Sequence, residues 1–215
     1  MNPPVQPSIL LMDVGNTCVN WCDSRFTDDP IYAPIKSVPT GQVLDKNQSL
    51  PLEWYARRLL VSSVVPLVDQ RLQSDPSIDA LFVNASHFPD IVLDLENPSE
   101  LGIDRIVNVA AARLRLPAPL VVVDFGTATT FDVLDAPSVY RGGIIAPGIG
   151  LSRDILSERT AKLPKIALAR PERVIGRSTA AAMASGLVLA YEAMVEGIVS
   201  RIEAELGASV QLLCT

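Results

Sequence analysis

The chain has 215 residues, and its 24 Asp and Glu against 18 Lys and Arg side chains give a formal net charge of −6 at pH 7. This acidic balance argues against a nucleic-acid-binding protein, which usually carries a basic face, and against a polybasic membrane anchor. Hydrophobic residues make up 48% and charged residues 20% of the chain, a globular balance that excludes wholesale disorder. The length allows one large domain or two lobes of about 100 residues each.

The predicted elements of the first half mix strands and helices. In chain order they are a strand at Ile9–Met12, a second strand at Cys18–Cys22 that closes a hairpin, a loop over 23–50 with one short strand at 31–38, a helix at Leu52–Leu60, a short helix at Leu67–Leu72, a buried strand at Ala80–Val83 and a helix over 101–114. A linker that contains two prolines, Pro117 and Pro119, follows. The linker predicts an N-terminal lobe over 1–116 and a C-terminal lobe over 117–215.

The second half opens with a continuous apolar run, which is typical of a strand buried on both faces. The predicted elements are strands at Leu120–Val123 and Phe131–Leu134, a helix at Ile149–Thr160, and a long helix from Ser178 or Thr179 to Glu205, with Gly207 as its C′ residue. Apolar residues three and four apart share one face of the long helix: Met183, Leu187, Ala190, Met194 and Ile198. We expect this face to lie in the core of the protein. The alternative is that it forms part of a dimer interface.

The cysteines and the apolar stretches predict a cytoplasmic protein. Three cysteines are too few for a disulfide framework, and one Cys-x3-Cys pair without a second pair does not make a zinc site. We therefore expect reduced thiols at Cys18, Cys22 and Cys214. The apolar run 9–12 is too short for a signal peptide. The best candidate for a membrane span, Ala180–Val199, carries two glutamates, so no span is expected.

Both halves begin with the same pattern of an apolar strand, an Asp, one residue, a Gly and small polar residues. The first copy runs from Ile9 through Asp13 and Gly15, and the second from Val121 through Asp124 and Gly126. Two copies about 110 residues apart indicate a duplicated unit. The alternative is two unrelated turns at strand ends.

These turns have a specific chemistry. A glycine after a strand lets backbone N–H groups approach phosphate oxygens closely, and a carboxylate at the strand end is a hard ligand for Mg²⁺. Two such turns facing each other across a cleft would hold a polyphosphate from both sides. Neither a Walker sequence nor a G-x-G-x-x-G sequence is present, so the sequence gives no support to a P-loop or Rossmann protein.

Seven motifs, in order, resemble those of type III pantothenate kinases, a branch of the actin/Hsp70/sugar-kinase superfamily. They are Asp13–Thr17, Ser62–Pro66, Glu96–Pro98 with Gly102–Arg105, Asp124–Thr130, Gly142–Gly148, Thr160–Pro164 and Gly176–Thr179. The resemblance implies an α/β fold of two ribonuclease-H-like (actin-like ATPase) lobes with a cleft between them, and a homodimer. It also implies ATP-dependent phosphorylation of pantothenate, the first step of coenzyme A biosynthesis. The implied cofactors are ATP, magnesium and a monovalent cation, potassium or ammonium.

The resemblance also implies roles for individual residues. Asp104 would be the general base, Asp124 would hold the monovalent cation, and Asp13 would hold magnesium. The implied ATP-binding residues are Asp13, Val14, Gly15, Asn16, Thr17, Cys18, Val19, Asn20 and Thr127. The implied pantothenate-binding residues are Leu95, Gly102, Ile103, Asp104, Arg105 and Thr179. A carboxylate beside the attacking hydroxyl accepts its proton, and a guanidinium offers a planar fork to the pantothenate carboxylate.

Two departures from the family pattern bear on activity. Leu95 stands where the family usually has a Tyr that lines the pantothenate site. Residues 210–215 resemble the strand that follows the long helix in the family, and the sequence stops at Thr215, where the family continues with Gly-Gly and further helices. The C-terminal lobe is therefore expected to be truncated. The alternatives to an active pantothenate kinase are a degenerate relative that binds a ligand or partner without useful turnover, and a kinase for another small hydroxylated acid.

Overall fold

The computed structural model describes residues 9–26 and 34–215. The described chain divides into two compact units, each discontinuous in sequence. One takes the residues up to Pro89 together with Ser99–Asn108, and the other takes Asp90–Pro98 together with Val109–Thr215. The lobe boundary between residues 116 and 117 stays a prediction.

The first unit is built on a five-stranded sheet with the order β3-β2-β1-β4-β5. Its strands are β1 (Leu10–Val14), β2 (Cys18–Asp23), β3 (Lys36–Pro39), β4 (Arg58–Ser63) and β5 (Asp79–Phe82). Strands β1, β2 and β3 pair antiparallel, whereas β4 runs parallel to β1 and β5 parallel to β4. This is the ribonuclease-H-like arrangement that was predicted. Part of the predicted strand at 31–38 lies outside the described residues.

Three short helices pack on this sheet: α1 (Thr40–Leu44), α2 (Leu52–Tyr55) and α3 (Pro66–Ser74). The core between helices and sheet contains fully buried side chains from both, among them Trp54, Leu59, Val61, Val68 and Leu72. The predicted helix at Leu52–Leu60 was wrong beyond Tyr55, because Leu59 and Val61 alternate into the core as residues of a strand beside β1. Helix α1 falls within the predicted loop.

The second unit has a five-stranded sheet with the order β10-β7-β8-β9-β6. Its strands are β6 (Val92–Leu93), β7 (Leu120–Phe125), β8 (Ala128–Asp135), β9 (Val139–Pro147) and β10 (Gln211–Cys214). Strands β7, β8 and β9 pair antiparallel and β10 runs parallel to β7. The run β9-β8-β7-β10 therefore repeats β3-β2-β1-β4 of the first unit, which confirms the predicted duplication. Strand β6 lies on the far edge, parallel to β9.

Three further helices are α4 (Ile103–Ala112), α5 (Ile149–Glu158) and α6 (Thr179–Leu206). Helix α6 is capped as predicted, because the Ser178 hydroxyl accepts from the Ala181 N–H at 3.2 Å and Gly207 ends the helix with φ of +65°. Of the predicted apolar face, Met183 and Leu187 are buried and Ala190 is exposed.

Helix α6 is long and apolar enough to cross a membrane by length and composition alone, a test that core helices of soluble proteins also pass. In this structure Ile202 near its C-terminal end is buried against Val121, Val123 and Phe131 of the second sheet. This packing accounts for part of the apolar character of the helix.

The end of β2 is tied to the start of β4 by charge. Asp23 accepts from Arg25, whose Nη2 lies 2.6 Å from Oδ2, and from Arg57. The hydrogen bonds from Arg25, and to a smaller extent the one from Arg57, hold the pKa of Asp23 well below its usual range.

A carboxylate with a lowered folded-state pKa stabilises the protein above its unfolded pKa of about 4, and this contribution is lost as the pH falls further. We expect Asp23→Asn to be less stable to urea than the wild type at pH 7. The difference should shrink as the pH is lowered from about 4. Urea unfolding of both proteins over this range measures it, and a difference independent of pH would contradict the assignment.

Candidate active site

The first candidate phosphate loop is the turn Gly15–Thr17 between β1 and β2. The Gly15 N–H donates to the Cys18 carbonyl at 3.0 Å, which closes the turn. Thr40, the buried first residue of α1, braces it twice: its hydroxyl donates to the Gly15 carbonyl at 2.6 Å, and its N–H donates to the Thr17 carbonyl at 2.9 Å. The turn is therefore held from outside the hairpin. Thr40 was missed because it fell within the predicted loop.

The residues around this turn divide into exposed and buried sets. Asp13, Asn16 and Thr17 are exposed, whereas Val14 and Val19 are fully buried. The two valines therefore offer a ligand only their backbone. Asp13 stands directly opposite Asn20, a polar residue of β2, in the antiparallel register. The remaining implied ATP-binding residue, Cys18, is half-buried.

The Gly102–Arg105 segment lies beside the first turn within the same unit. Val64 connects them, because its N–H donates to the Val14 carbonyl at 3.1 Å and its Cγ1 lies 3.4 Å from where a Cβ on Gly102 would stand. The structure thus brings together two motifs that are far apart in sequence. Helix α4 begins here, at Ile103.

Asp104 is the second residue of α4 and is half-buried, as is Arg105. Its Oδ1 accepts from the Arg105 N–H at 2.8 Å. The same oxygen lies over Gly102, only 2.5 Å from where a Cβ on that residue would stand. A glycine at 102 therefore gives the carboxylate room to fold back toward the strand end.

Ser62 is a polar residue at this strand end to which the sequence assigned no role. It pairs with Asp13 in the parallel register of β1 and β4 and is 9% exposed. Its buried hydroxyl has no hydrogen-bond partner among the described residues. Only its place in the Ser62–Pro66 motif pointed to it beforehand.

The second candidate phosphate loop is the turn Gly126–Thr127 between β7 and β8. The Gly126 N–H donates to the Ala128 carbonyl at 3.1 Å, and both turn residues are exposed. Gly148, immediately before α5, packs directly under the turn and donates its N–H to the Thr127 carbonyl at 3.0 Å. Asp124 is half-buried at the end of β7, directly opposite Thr130. Helix α5 therefore begins at the second turn.

The structure places Leu95 and Thr179 elsewhere in the second unit. Leu95 is half-buried, and its Cδ2 lies 3.4 Å from where a Cβ on Gly142 would stand. Thr179, exposed as the first residue of α6, lines an open cavity of about 500 Å³ between α5 and α6. The Gly176–Thr179 motif begins with a close approach, because a Cβ on Gly176 would overlap the backbone of Ala181 and Ala182.

Across residues 9–26 and 34–215, no group of three or more His, Cys, Asp or Glu side chains is arranged to hold a metal ion. The donors at the two turns are single carboxylates, Asp13 and Asp124. Such a donor set fits Mg²⁺ bound mainly through substrate phosphates and water, as is usual for this ion. Single oxygen donors at a strand end also suit a hard monovalent cation.

Comparison with known proteins decides the family, because the model of the type III pantothenate kinase family matches residues 9–201. The chain belongs to the type III pantothenate kinase family. It is 43% identical over 161 residues to the type III pantothenate kinase of Koribacter versatilis, covering 73% of this chain and 59% of that protein. It is also 43% identical over 221 residues to that of Dehalococcoides mccartyi, covering 96% of this chain and 85% of that protein.

The chain thus spans less than two thirds of the first relative and most of the second. Among solved structures, a Baf family transcriptional activator from Campylobacter jejuni matches with a TM-score of 0.57 at 22% identity. The match covers 94% of this chain and 80% of that one, and at this identity it shows a shared fold. The family resemblance found in the motifs is confirmed.

Proposed function

We propose that this chain phosphorylates pantothenate to 4′-phosphopantothenate with ATP, the first step of coenzyme A biosynthesis. Its membership of the kinase family over residues 9–201 supports this activity. The single structural observation that carries it is Asp104, a half-buried carboxylate held beside the Gly15–Thr17 turn through Val64. A base next to a phosphate loop is what transfer of a phosphoryl group to an alcohol needs.

The step is a displacement at the γ-phosphorus of ATP. The pantothenate hydroxyl oxygen forms the new P–O bond, the bond to the bridging oxygen breaks, and ADP leaves. Asp104 accepts the hydroxyl proton, and Arg105 binds the pantothenate carboxylate through its guanidinium fork. Gly102 and Ile103 flank Asp104 at this site. The pantothenate-binding roles of Leu95 and Thr179, which belong to the second unit, rest on the family resemblance.

The protein otherwise positions and neutralises charge. In each turn backbone N–H groups bind phosphate, together with the side chains of Asn16 and Thr17 in the first turn and of Thr127 in the second. Asp13, with Asn20 opposite it, would hold Mg²⁺, which would neutralise phosphate charge. The Gly15 N–H is already used within the turn, so the groups around Asn16 and Thr17 do most of the binding.

The test is pantothenate-dependent ADP release by the purified chain with Mg·ATP and K⁺, together with a product mass that shows one added phosphate. Turnover establishes the proposed reaction. A folded protein that binds nucleotide without turnover would favour the degenerate relative. Turnover only with other hydroxylated acids in a substrate panel would favour a kinase of different specificity.

Asp124 is the proposed monovalent-cation ligand, and we expect activity to depend on K⁺ or NH₄⁺. Replacing K⁺ by Na⁺ should lower the rate by about tenfold, which corresponds to about 1.4 kcal/mol. Asp124→Asn should remove the difference between the cations. ADP release in each chloride salt at constant ionic strength measures this, and full activity in Na⁺ alone would remove the assignment.

The active form is proposed to be a cytoplasmic homodimer that acts on small molecules, without nucleic acid or membrane. Large apolar side chains of the second unit that are exposed in the single chain support dimerisation. They include Ile145, Ile155, Val174 and Ile175. Sedimentation of the purified protein tests the oligomeric state.

A further inference from the structure

Tyr191, near the middle of α6, contacts both strands that flank the second turn. Its ring lies 6.0 Å from the ring of Phe125, measured between centroids, and is inclined to it by 48°. Its hydroxyl hydrogen-bonds to the hydroxyl of Thr129. Phe125 and Thr129 are directly opposite each other in the register of β7 and β8. The Tyr191 side chain therefore contacts both residues that flank the Gly126–Ala128 turn.

Because Thr129 is buried, its hydrogen bond to the Tyr191 hydroxyl matters for stability. Thr129 is fully buried, and a buried hydroxyl without a partner destabilises a protein. Tyr191 supplies the partner. The deeper part of the hairpin is fixed by fully buried residues such as Val123 and Phe131, whereas the turn beyond Phe125 is exposed. The contacts of Tyr191 thus lie at the boundary between the rigid hairpin and its exposed tip.

Backbone hydrogen bonds also hold this turn. The Thr127 carbonyl accepts from the Gly148 N–H, and the Phe125 N–H donates to the Thr215 carbonyl at 3.0 Å. Tyr191 adds side-chain contacts to the two strands. Its place on a long helix, held by Ile202 against the same sheet, makes it a fixed support.

We propose that Tyr191 is a positioning residue for the second phosphate loop, which it keeps in the nucleotide-binding conformation through its contacts with Phe125 and Thr129. The proposal rests on the proposed function, in which this loop binds ATP phosphates. Donors already fixed in place bind phosphate without a further ordering cost. Losing these contacts therefore weakens nucleotide binding, while Asp104 in the first unit, which accepts the proton, is unchanged.

The test removes each hydroxyl alone and both together, with Tyr191→Phe, Thr129→Val and the double variant. Glu192→Gln is the matched control, because Glu192 is the next residue of α6 and pairs instead with Arg170 at 3.4 Å. We expect each single variant to raise the KM for ATP by about fivefold, as loss of one hydrogen bond does, with kcat and the KM for pantothenate unchanged. The double variant should be no worse than the worse single one, because one contact is lost in all three.

A second readout does not depend on turnover. Amide hydrogen exchange at Gly126–Ala128 should be faster in both hydroxyl variants than in the wild type and Glu192→Gln, with exchange at β1 and β2 unchanged. Unchanged exchange at the turn overturns the proposal, as does an equal change in every kinetic parameter. If the wild type releases no ADP, the proposed function fails, and exchange at the turn still decides whether Tyr191 holds it.

Discussion

Asp104→Asn should lower the kcat of pantothenate-dependent ADP release by about 10²–10⁴-fold, the usual contribution of a general base. Asparagine has the same shape, and its side-chain oxygen can still accept from the Arg105 N–H, as Asp104 Oδ1 does at 2.8 Å. The start of α4 is therefore kept. What is lost is the capacity to accept a proton from the pantothenate hydroxyl.

Steady-state kinetics and thermal unfolding of this variant separate the two effects. We expect the melting temperature and the KM for ATP to stay near the wild type while kcat falls. Asp90→Asn is the matched control, because the Asp90 carboxylate is exposed and pairs with Arg113 at 3.3 Å, and such surface pairs contribute little. An Asp104→Asn protein that retains most of its kcat would overturn the assignment of the base.

The sequence predicted those features of the site that have local signals. The two strand-Asp-x-Gly copies occupy equivalent interior strands, β1 and β7, of sheets with matching strand order. Helix α6 begins after its predicted cap Ser178 and ends at Gly207. Capping and strand-end turns depend on residues a few positions apart, which a sequence displays directly. The beginning of β4 at Arg58 was missed, because an apolar run of mixed spacing does not distinguish a helix from a buried strand.

The residues that brace the turns could not be predicted, because their contacts are long-range. Thr40 lies 25 residues from the Gly15 carbonyl it binds, and Tyr191 lies 62 residues from Thr129. The two turns share a sequence pattern but not a support. A threonine side chain braces the first, whereas the backbone of Gly148 and the side chain of Tyr191 brace the second.

Gly148→Ala should damage the second phosphate loop. Gly148 has φ of −65° and ψ of 154°, a conformation open to any residue, so backbone freedom does not explain the glycine. The glycine is explained by lack of space, because a Cβ would stand 2.5 Å from the Thr127 carbonyl oxygen and closer still to the Gly126 carbonyl oxygen. These are backbone atoms of the turn and cannot rotate away. We expect a loss of about 1–3 kcal/mol in unfolding free energy, and a larger loss of ATP affinity because the turn itself must move.

Gly150→Ala, two residues further along, is the matched control for this prediction. A Cβ on Gly150 meets no atom within 4 Å, and the position lies inside α5. Alanine is favoured over glycine inside a helix by about 0.5–1 kcal/mol, so this variant should be slightly more stable than the wild type. Urea unfolding should therefore show opposite signs of stability change for the two variants, and only Gly148→Ala should raise the KM for ATP. Equal behaviour of the two variants would show that the approach of α5 to the Gly126–Thr127 turn is not what fixes the loop.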